Sequence, residues 1–241
     1  MKLKEKGFQL FGLITDKALK SYSKRTPDLP IYYNRIGTGL GDTWAVVNAL
    51  LSESVRIETP VKLHANAGQN TPSDHSVLVS QILNLLDSPG RIILTLEKPD
   101  REIEQGLVWG QPKYFRTRRR WKPSGEPTIC YQFDGHSSAS DKNPPEQDLE
   151  RLTSWAPSHR FVKVGLPMGL EESIEALATS DLFIGSCSGL SHVAHSMNLP
   201  TIIVQYRMPV EPWHGPKDSF VIAEGTNHAI LLGRMMLKQN I

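Results

Sequence analysis

Apolar residues in this chain fall into short runs. Most runs close on a polar or glycine-bearing break, and most breaks lead into residues at helical spacing. The runs are Leu29–Ile36, Val61–Ala65, Arg91–Leu96, Thr128–Phe133, Arg160–Val164, Leu182–Ile184, Pro200–Val204 and Ser219–Ala223. Short apolar runs without strict alternation suit strands of a parallel sheet covered on both faces. Helices are expected over 43–51, 73–86, 146–155, 170–180 and 190–198, with a last one from Thr226. In the second of these, Val77, Leu78, Ile82, Leu85 and Leu86 recur at helical spacing, Ser73 is the N-cap, and Pro89-Gly90 ends the helix. Strand and helix alternate in two sets, separated by residues 98–127, which hold few apolar residues and several Pro and Gly. The pattern predicts an α/β protein of two Rossmann-like domains facing a cleft, in a compact version. The expected divisions are an N-terminal segment 1–28, a first domain with linker over 29–123, and a second domain over 124–241.

Two breaks carry candidate chemistry. Gly185-Ser-Cys-Ser-Gly189 follows the Leu182–Ile184 run and precedes a compact helix, with Ser188 or Ser191 as N-cap. A small-residue turn lets main-chain N–H groups approach a ligand, and a helix start adds unpaired donors and partial positive charge. An anion is the natural ligand there. Gly37-Thr-Gly-Leu-Gly-Asp42 is the second break. It departs from a dinucleotide fingerprint, because its third glycine comes one residue early and no acidic residue closes the next strand. Asp42 stands near a helix start, which favours the ionised form; it suits either a helix cap or a general base.

The residues Ser180-Asp181, Gly185, Ser188-Gly189-Leu190-Ser191-His192, Ala194 and Pro200-Thr201 resemble the donor-site signature of the heptosyltransferase family, two-domain glycosyltransferases of the B-type fold. At Cys187 the family usually has Asp, a departure that bears on the sugar more than on the fold. The resemblance implies an inverting, metal-independent glycosyltransferase that moves a hexosyl, heptosyl or pentosyl unit from a nucleotide-sugar to an acceptor hydroxyl. It implies no cofactor beyond the nucleotide-sugar co-substrate. Asp42 would be the catalytic base. Donor binding would fall to Lys142, Gly165, Leu166, Ser186, Cys187, Ser188, Gly189, Leu190 and His192. Gly39 and Gly41, with Glu211, Trp213 and His214 of a Pro- and aromatic-rich loop, would border the cleft on the acceptor side. In this fold the terminal helix often crosses back to the first domain.

Two other functions remain open at this point. Gly185-Ser-Cys-Ser-Gly189 also fits the nucleophile elbow of an α/β hydrolase with Cys187 as nucleophile, followed by Asp218 and His228. A nucleotide-sugar epimerase or binding protein shares the B-type architecture.

Composition narrows the setting. With 27 Lys and Arg against 25 Asp and Glu, the net charge of +2 marks neither a nucleic-acid nor a membrane binder. The local run Arg116-Thr-Arg-Arg-Arg-Trp-Lys122 suits a solvated face or a polyanionic acceptor such as nucleic acid. No Asp-x-Asp motif or His/Cys ligand set is present in the sequence, so no metal is expected. Two cysteines, Cys130 and Cys187, imply no disulfide framework and a cytoplasmic setting. No apolar run reaches the ~20 residues of a membrane span. Phe8, Leu10, Phe11, Leu13 and Ile14 predict a short amphipathic helix within the N-terminal segment; its small apolar face suits packing on the body better than contact with a membrane surface. The sequence leaves the acceptor and the oligomeric state open.

Overall fold

The computed structural model describes residues 29–34, 36, 39–65, 74–86, 90–103, 108, 115–134, 142–206 and 220–239. The expected amphipathic helix of the N-terminal segment lies outside them.

Two parallel sheets form the frame. The first has the order β3-β2-β1-β4, from β1 (Ile31–Tyr33), β2 (Val61–His64), β3 (Ile92–Thr95) and β4 (Arg101–Glu102). The second has the order β6-β5-β7-β8-β9, from β5 (Thr128–Gln132), β6 (Arg160–Lys163), β7 (Leu182–Gly185), β8 (Thr201–Gln205) and β9 (Val221–Glu224). Helices α1 (Leu40–Arg56) and α2 (Asp74–Leu85) belong to the first half. Helices α3 (Glu146–Leu152), α4 (Leu170–Thr179), α5 (Gly189–Met197) and α6 (Thr226–Gln239) belong to the second.

The expected strands are present within a few residues of their predicted ends. The differences have physical causes. Helix α1 starts earlier than the pattern suggests, because Gly41 and Asp42 form its first turn. It also runs past Leu51, because its polar end is partnered: Tyr32 Oη donates to Glu53 Oε1 (3.2 Å), Arg56 bonds both Glu53 oxygens, and Ser54 Oγ donates to Thr59 O (2.6 Å). Strand β4 falls inside the stretch read as an interdomain connection. It is a charged two-residue edge strand, invisible to an apolar search, and Ile31 N–H bonds Asp100 Oδ1 (2.9 Å) beside it.

The halves share one core. Trp44, Val46, Val47, Leu50 and Leu51 of α1 have no exposure, and they join Val193, Ala194 and Met197 of α5 in a single apolar cluster. Helix α1 packs directly on α5. Trp44 Nε1–H donates to Ser196 Oγ (2.8 Å) across that contact. A second cluster, with Ile129, Leu152, Ile184, Val204 and Ala229, lies on the other face of the second sheet, under α3 and α6. Helix α6 packs on β7, β8, β9 and α3, so the expectation that it returns to the first domain is corrected.

The basic run has a structural use. Arg118 N–H and Nε–H donate to Leu85 O (2.7 Å) and Leu86 O (3.1 Å) at the end of α2. Lys122 N–H reaches Ala178 O (2.8 Å), Trp121 Nε1–H reaches Ser180 O (2.7 Å), and Arg119 pairs with Glu175. Thr117 N–H bonds Ser196 O in the last turn of α5 (3.4 Å). The segment thus laces the C-terminal ends of α2, α4 and α5, where unpaired carbonyls favour donors and positive charge. It lies at the opposite end of α5 from the Gly185–Gly189 turn.

Candidate functional site

In an open parallel sheet, a crevice forms where neighbouring strands send their connections to opposite sides. The second sheet has this point between β5 and β7, and the first sheet has it between β1 and β4. The two small-residue breaks singled out in the sequence leave from these points: β7 into α5, and β1 into α1.

The β7–α5 turn is tightly built. A Cβ at Gly185 would lie 2.5 Å from Gln132 O, so β5 and β7 approach too closely there for a side chain. Ser186 is fully buried; its N–H donates to Gln132 O (3.0 Å) and its Oγ to Lys142 O (2.8 Å). Ser188 is the N-cap of α5 and donates its hydroxyl to Gln132 Oε1 (2.5 Å). Ser191 Oγ accepts the Ser188 N–H (3.1 Å) and donates to Ser188 O (2.6 Å), which secures the first turn of α5.

Gly189 and Gly41 meet across the halves. A Cβ at Gly189 would stand 2.6 Å from Leu40 Cβ, and one at Gly41 would stand 3.2 Å from His192 Cδ2. Leu190 and His192 are buried. Burial first, then His195 and Lys142, push the His192 imidazole down to about 3, so it is neutral at physiological pH.

Among the described residues, Asp42 is the ionisable group at the β1–α1 turn. Partial burial raises its pKa; the Lys142 charge and then the Gly39 N–H pull it back down without cancelling the rise. The helix start therefore does not hold Asp42 more readily ionised than usual. Cys187 lies within the influence of both Asp42 and Lys142, and burial pushes its thiol up to about 11. The structure thus gathers Asp42, Lys142, Cys187 and the α5 start, with Gly39 and Gly41 on the α1 side.

Gly165 follows β6 with a φ of +90°, a conformation that favours glycine, and a Cβ there would lie 2.7 Å from Gln132 Nε2. Leu166 beside it is exposed. Gln132, absent from the sequence-based set, is the residue that touches the Gly165 loop, the Ser186 main chain and the Ser188 hydroxyl. A polar side chain closing an apolar strand at a switch point was the available signal. Glu211, Trp213, His214 and Asp218 lie outside the described residues. The hydrolase alternative finds no support in the rest. The Cys187 thiol is protonated at neutral pH, and His228 Nδ1 accepts the Glu224 N–H (3.2 Å) beside β9, with β8 between it and β7. Among the described residues, no three His, Cys, Asp or Glu side chains form a metal-binding group, and no helix is long and apolar enough to cross a membrane.

Residues 140–208 match the family model of glycosyltransferase family 9 (heptosyltransferase). Among solved structures, the iron-containing dodecameric glycosyltransferase TibC of enterotoxigenic E. coli H10407 aligns with a TM-score of 0.56 at 14% identity, over 80% of this chain and 62% of TibC. TibC in complex with ADP-D-β-D-heptose aligns with a TM-score of 0.54 at 14% identity, over the same 80% and 62%. The E. coli heptosyltransferase WaaC with ADP-2-deoxy-2-fluoro heptose gives a TM-score of 0.49 at 11% identity, over 88% of this chain and 100% of WaaC. The chain thus spans less than two thirds of the length of TibC. A sequence search of curated proteins returned no match. By its two parallel sheets and by the match over residues 140–208, the chain is heptosyltransferase-like, with a compact form of the B-type glycosyltransferase fold.

Proposed function

We propose that this protein is a glycosyltransferase that moves a sugar from a nucleotide-activated donor to an acceptor hydroxyl, with inversion and without a metal. The observation that carries this is the convergence of Asp42 from one half and Lys142 from the other on the start of α5, of which Lys142 and α5 lie within the family match. Asp42 takes the acceptor proton as the hydroxyl oxygen bonds to the anomeric carbon. The bond from that carbon to the phosphate oxygen breaks, and its electron pair leaves with the nucleoside diphosphate. Lys142 and the N–H groups at the α5 start face the growing negative charge, the electrostatic task that a metal performs elsewhere. A carboxylate of raised pKa is the stronger base once ionised. Inversion is supported because Cys187, the nucleophile beside Asp42, is held as the neutral thiol, which disfavours a covalent relay. Both cysteines are free thiols, which suits a cytoplasmic setting.

The test is a thermal-shift screen against ADP, GDP, UDP and CMP and their sugars, led by ADP-heptose because TibC was captured with it. A ligand specific to the folded state stabilises by about 2.7 kcal/mol at a hundredfold excess over Kd. A shift with one nucleoside diphosphate, followed by transfer from its sugar, is the expected outcome. No shift with any of them would reject a nucleotide-sugar donor.

A further inference from the structure

We infer that Ser186 is a positioning residue: its buried hydroxyl ties the main chain of Lys142 to the β7 edge and so keeps the Lys142 charge beside Asp42. Ser186 has no exposure, and a buried hydroxyl is costly unless bonded. Its partner is not a neighbour in its own turn. Ser186 Oγ donates to Lys142 O at 2.8 Å, 44 residues away in sequence, and Asn143 Oδ1 lies 3.5 Å from the same oxygen. The anchor itself is rigid. Ser186 N–H is bonded to Gln132 O, and Gly185 before it is pressed on the same carbonyl. Lys142 and Asn143, by contrast, precede α3 and lie outside both sheets. One hydrogen bond therefore transmits the geometry of the sheet to the site's lysine.

The consequence falls on Asp42. Among the described residues, the groups facing it are Lys142, the Cys187 thiol and, beside Gly41 on α5, the neutral His192. Of these, Lys142 lowers the Asp42 pKa by its charge. Releasing the Lys142 main chain weakens that pull, and Asp42 then ionises at higher pH.

The experiment is a carboxyl NMR titration of Asp42 in the full chain, for wild type, Lys142→Met, Ser186→Ala and Ser186→Thr. Thermal unfolding of each variant confirms that it is folded. Lys142→Met is expected to raise the Asp42 midpoint measurably. Ser186→Ala is expected to raise it in the same direction, Ser186→Thr to leave it in place, and the double variant to exceed Lys142→Met by nothing measurable. If Ser186→Ala fails to fold, Ser186→Cys, a weaker donor, is read instead and should give a partial shift. An unmoved midpoint in Ser186→Ala (or in Ser186→Cys where that variant is read instead) while Lys142→Met shifts overturns the inference; so does an unmoved midpoint in Lys142→Met. The catalytic meaning rests on the proposed transfer reaction, where the acid limb of kcat/KM should move with the NMR midpoint. Absence of transfer with every donor would defeat that function and still leave the NMR result to decide the role of Ser186.

Discussion

The two turns at the switch points are built to one plan and furnished differently. Each joins a parallel strand to a helix through small residues, and the two helices pack on each other near their starts. The β1–α1 turn brings an ionisable group, Asp42, in the first turn of α1. The β7–α5 turn brings Ser186, Cys187, Ser188 and Gly189, all neutral, and a histidine kept neutral by burial. One turn is suited to move a proton, and the other to present main-chain donors to an anion. The charge the second turn lacks comes from Lys142, tied to it through Ser186. Two helix starts can therefore share a site without duplicating its chemistry.

The largest effect that would test this division is at Asp42. Asp42→Asn should lower transfer by about 10²–10⁴-fold, the usual reach of a general base, with donor affinity within a few-fold. Stability should move the opposite way. Because the folded-state pKa is raised, the protonated carboxyl is the form that folding favours. That advantage is complete below the ordinary carboxylate range and is lost as pH rises through the folded value. Asn keeps the neutral form at every pH, so its unfolding midpoint should match wild type near pH ~4 and exceed it at neutral pH. Wild-type turnover in this variant would remove Asp42 from the mechanism.

Gly189 ranks next. Its Cα faces Leu40 of the other half, and a Cβ there would stand 2.6 Å from Leu40 Cβ and Cγ. Gly189→Val should cost about 1–3 kcal/mol or more by overpacking, so weak donor binding in that variant would not by itself report on phosphate contact. Gly189→Ala combined with Leu40→Gly is the sharper pair, because the nearest atom is Leu40 Cβ itself. If the contact between halves is the reason for glycine, Gly189→Ala should cost much less unfolding temperature in the Leu40→Gly background than in wild type. Simple additivity of the two losses would refute it.

His192 sharpens the comparison from the other turn. Its folded-state value near 3 lies well below the ordinary ~6.5, so the stability it contributes is present above about pH 6.5 and is lost as pH falls toward 3. The full window is worth on the order of 5 kcal/mol. His192→Gln should flatten the decline of stability between about pH 6 and 4. A decline as steep as in wild type would place the acid sensitivity elsewhere.

The strands were legible because parallel strands covered on both faces are apolar at nearly every position, as Leu182-Phe-Ile and Thr201-Ile-Ile-Val are. Strand β4 was not, because Arg101-Glu102 at an edge carries no such signature. The turns themselves were legible as glycine and serine clusters after strands. What each glycine faces was not. Gly189 reads as a place for a phosphate, and the structure sets it against Leu40, a neighbour supplied by the other half of the chain. Asp42 left two roles open, cap and base; the fold adds its place in the first turn of α1, within the influence of Lys142. The Arg116–Lys122 run showed its charge in the sequence, but only the fold shows that it laces helix ends on the side away from the turn. Gln132 was missed because its importance lies in contacts to the Gly165 loop and to the β7–α5 turn, and its only trace in the sequence is a polar residue closing an apolar strand.

The smallest expected effect is at Cys187, and it separates the two furnishings most directly. With the thiol pushed up to about 11, the thiolate fraction at pH 7 is about one in 10⁴, so Cys187 should react slowly with alkylating reagents until the solution is strongly basic. Cys187→Ser exchanges one neutral polar group for another. Transfer should stay within about 1 kcal/mol of wild type, roughly fivefold. Cys187→Asp adds a second carboxylate beside Asp42, so the acid limb of the transfer rate should move to higher pH through like-charge repulsion. Rapid alkylation at neutral pH, together with loss of activity in Cys187→Ser, would reverse the division. The charged, reactive group would then belong to the β7–α5 turn, with Asp42 reduced to a cap.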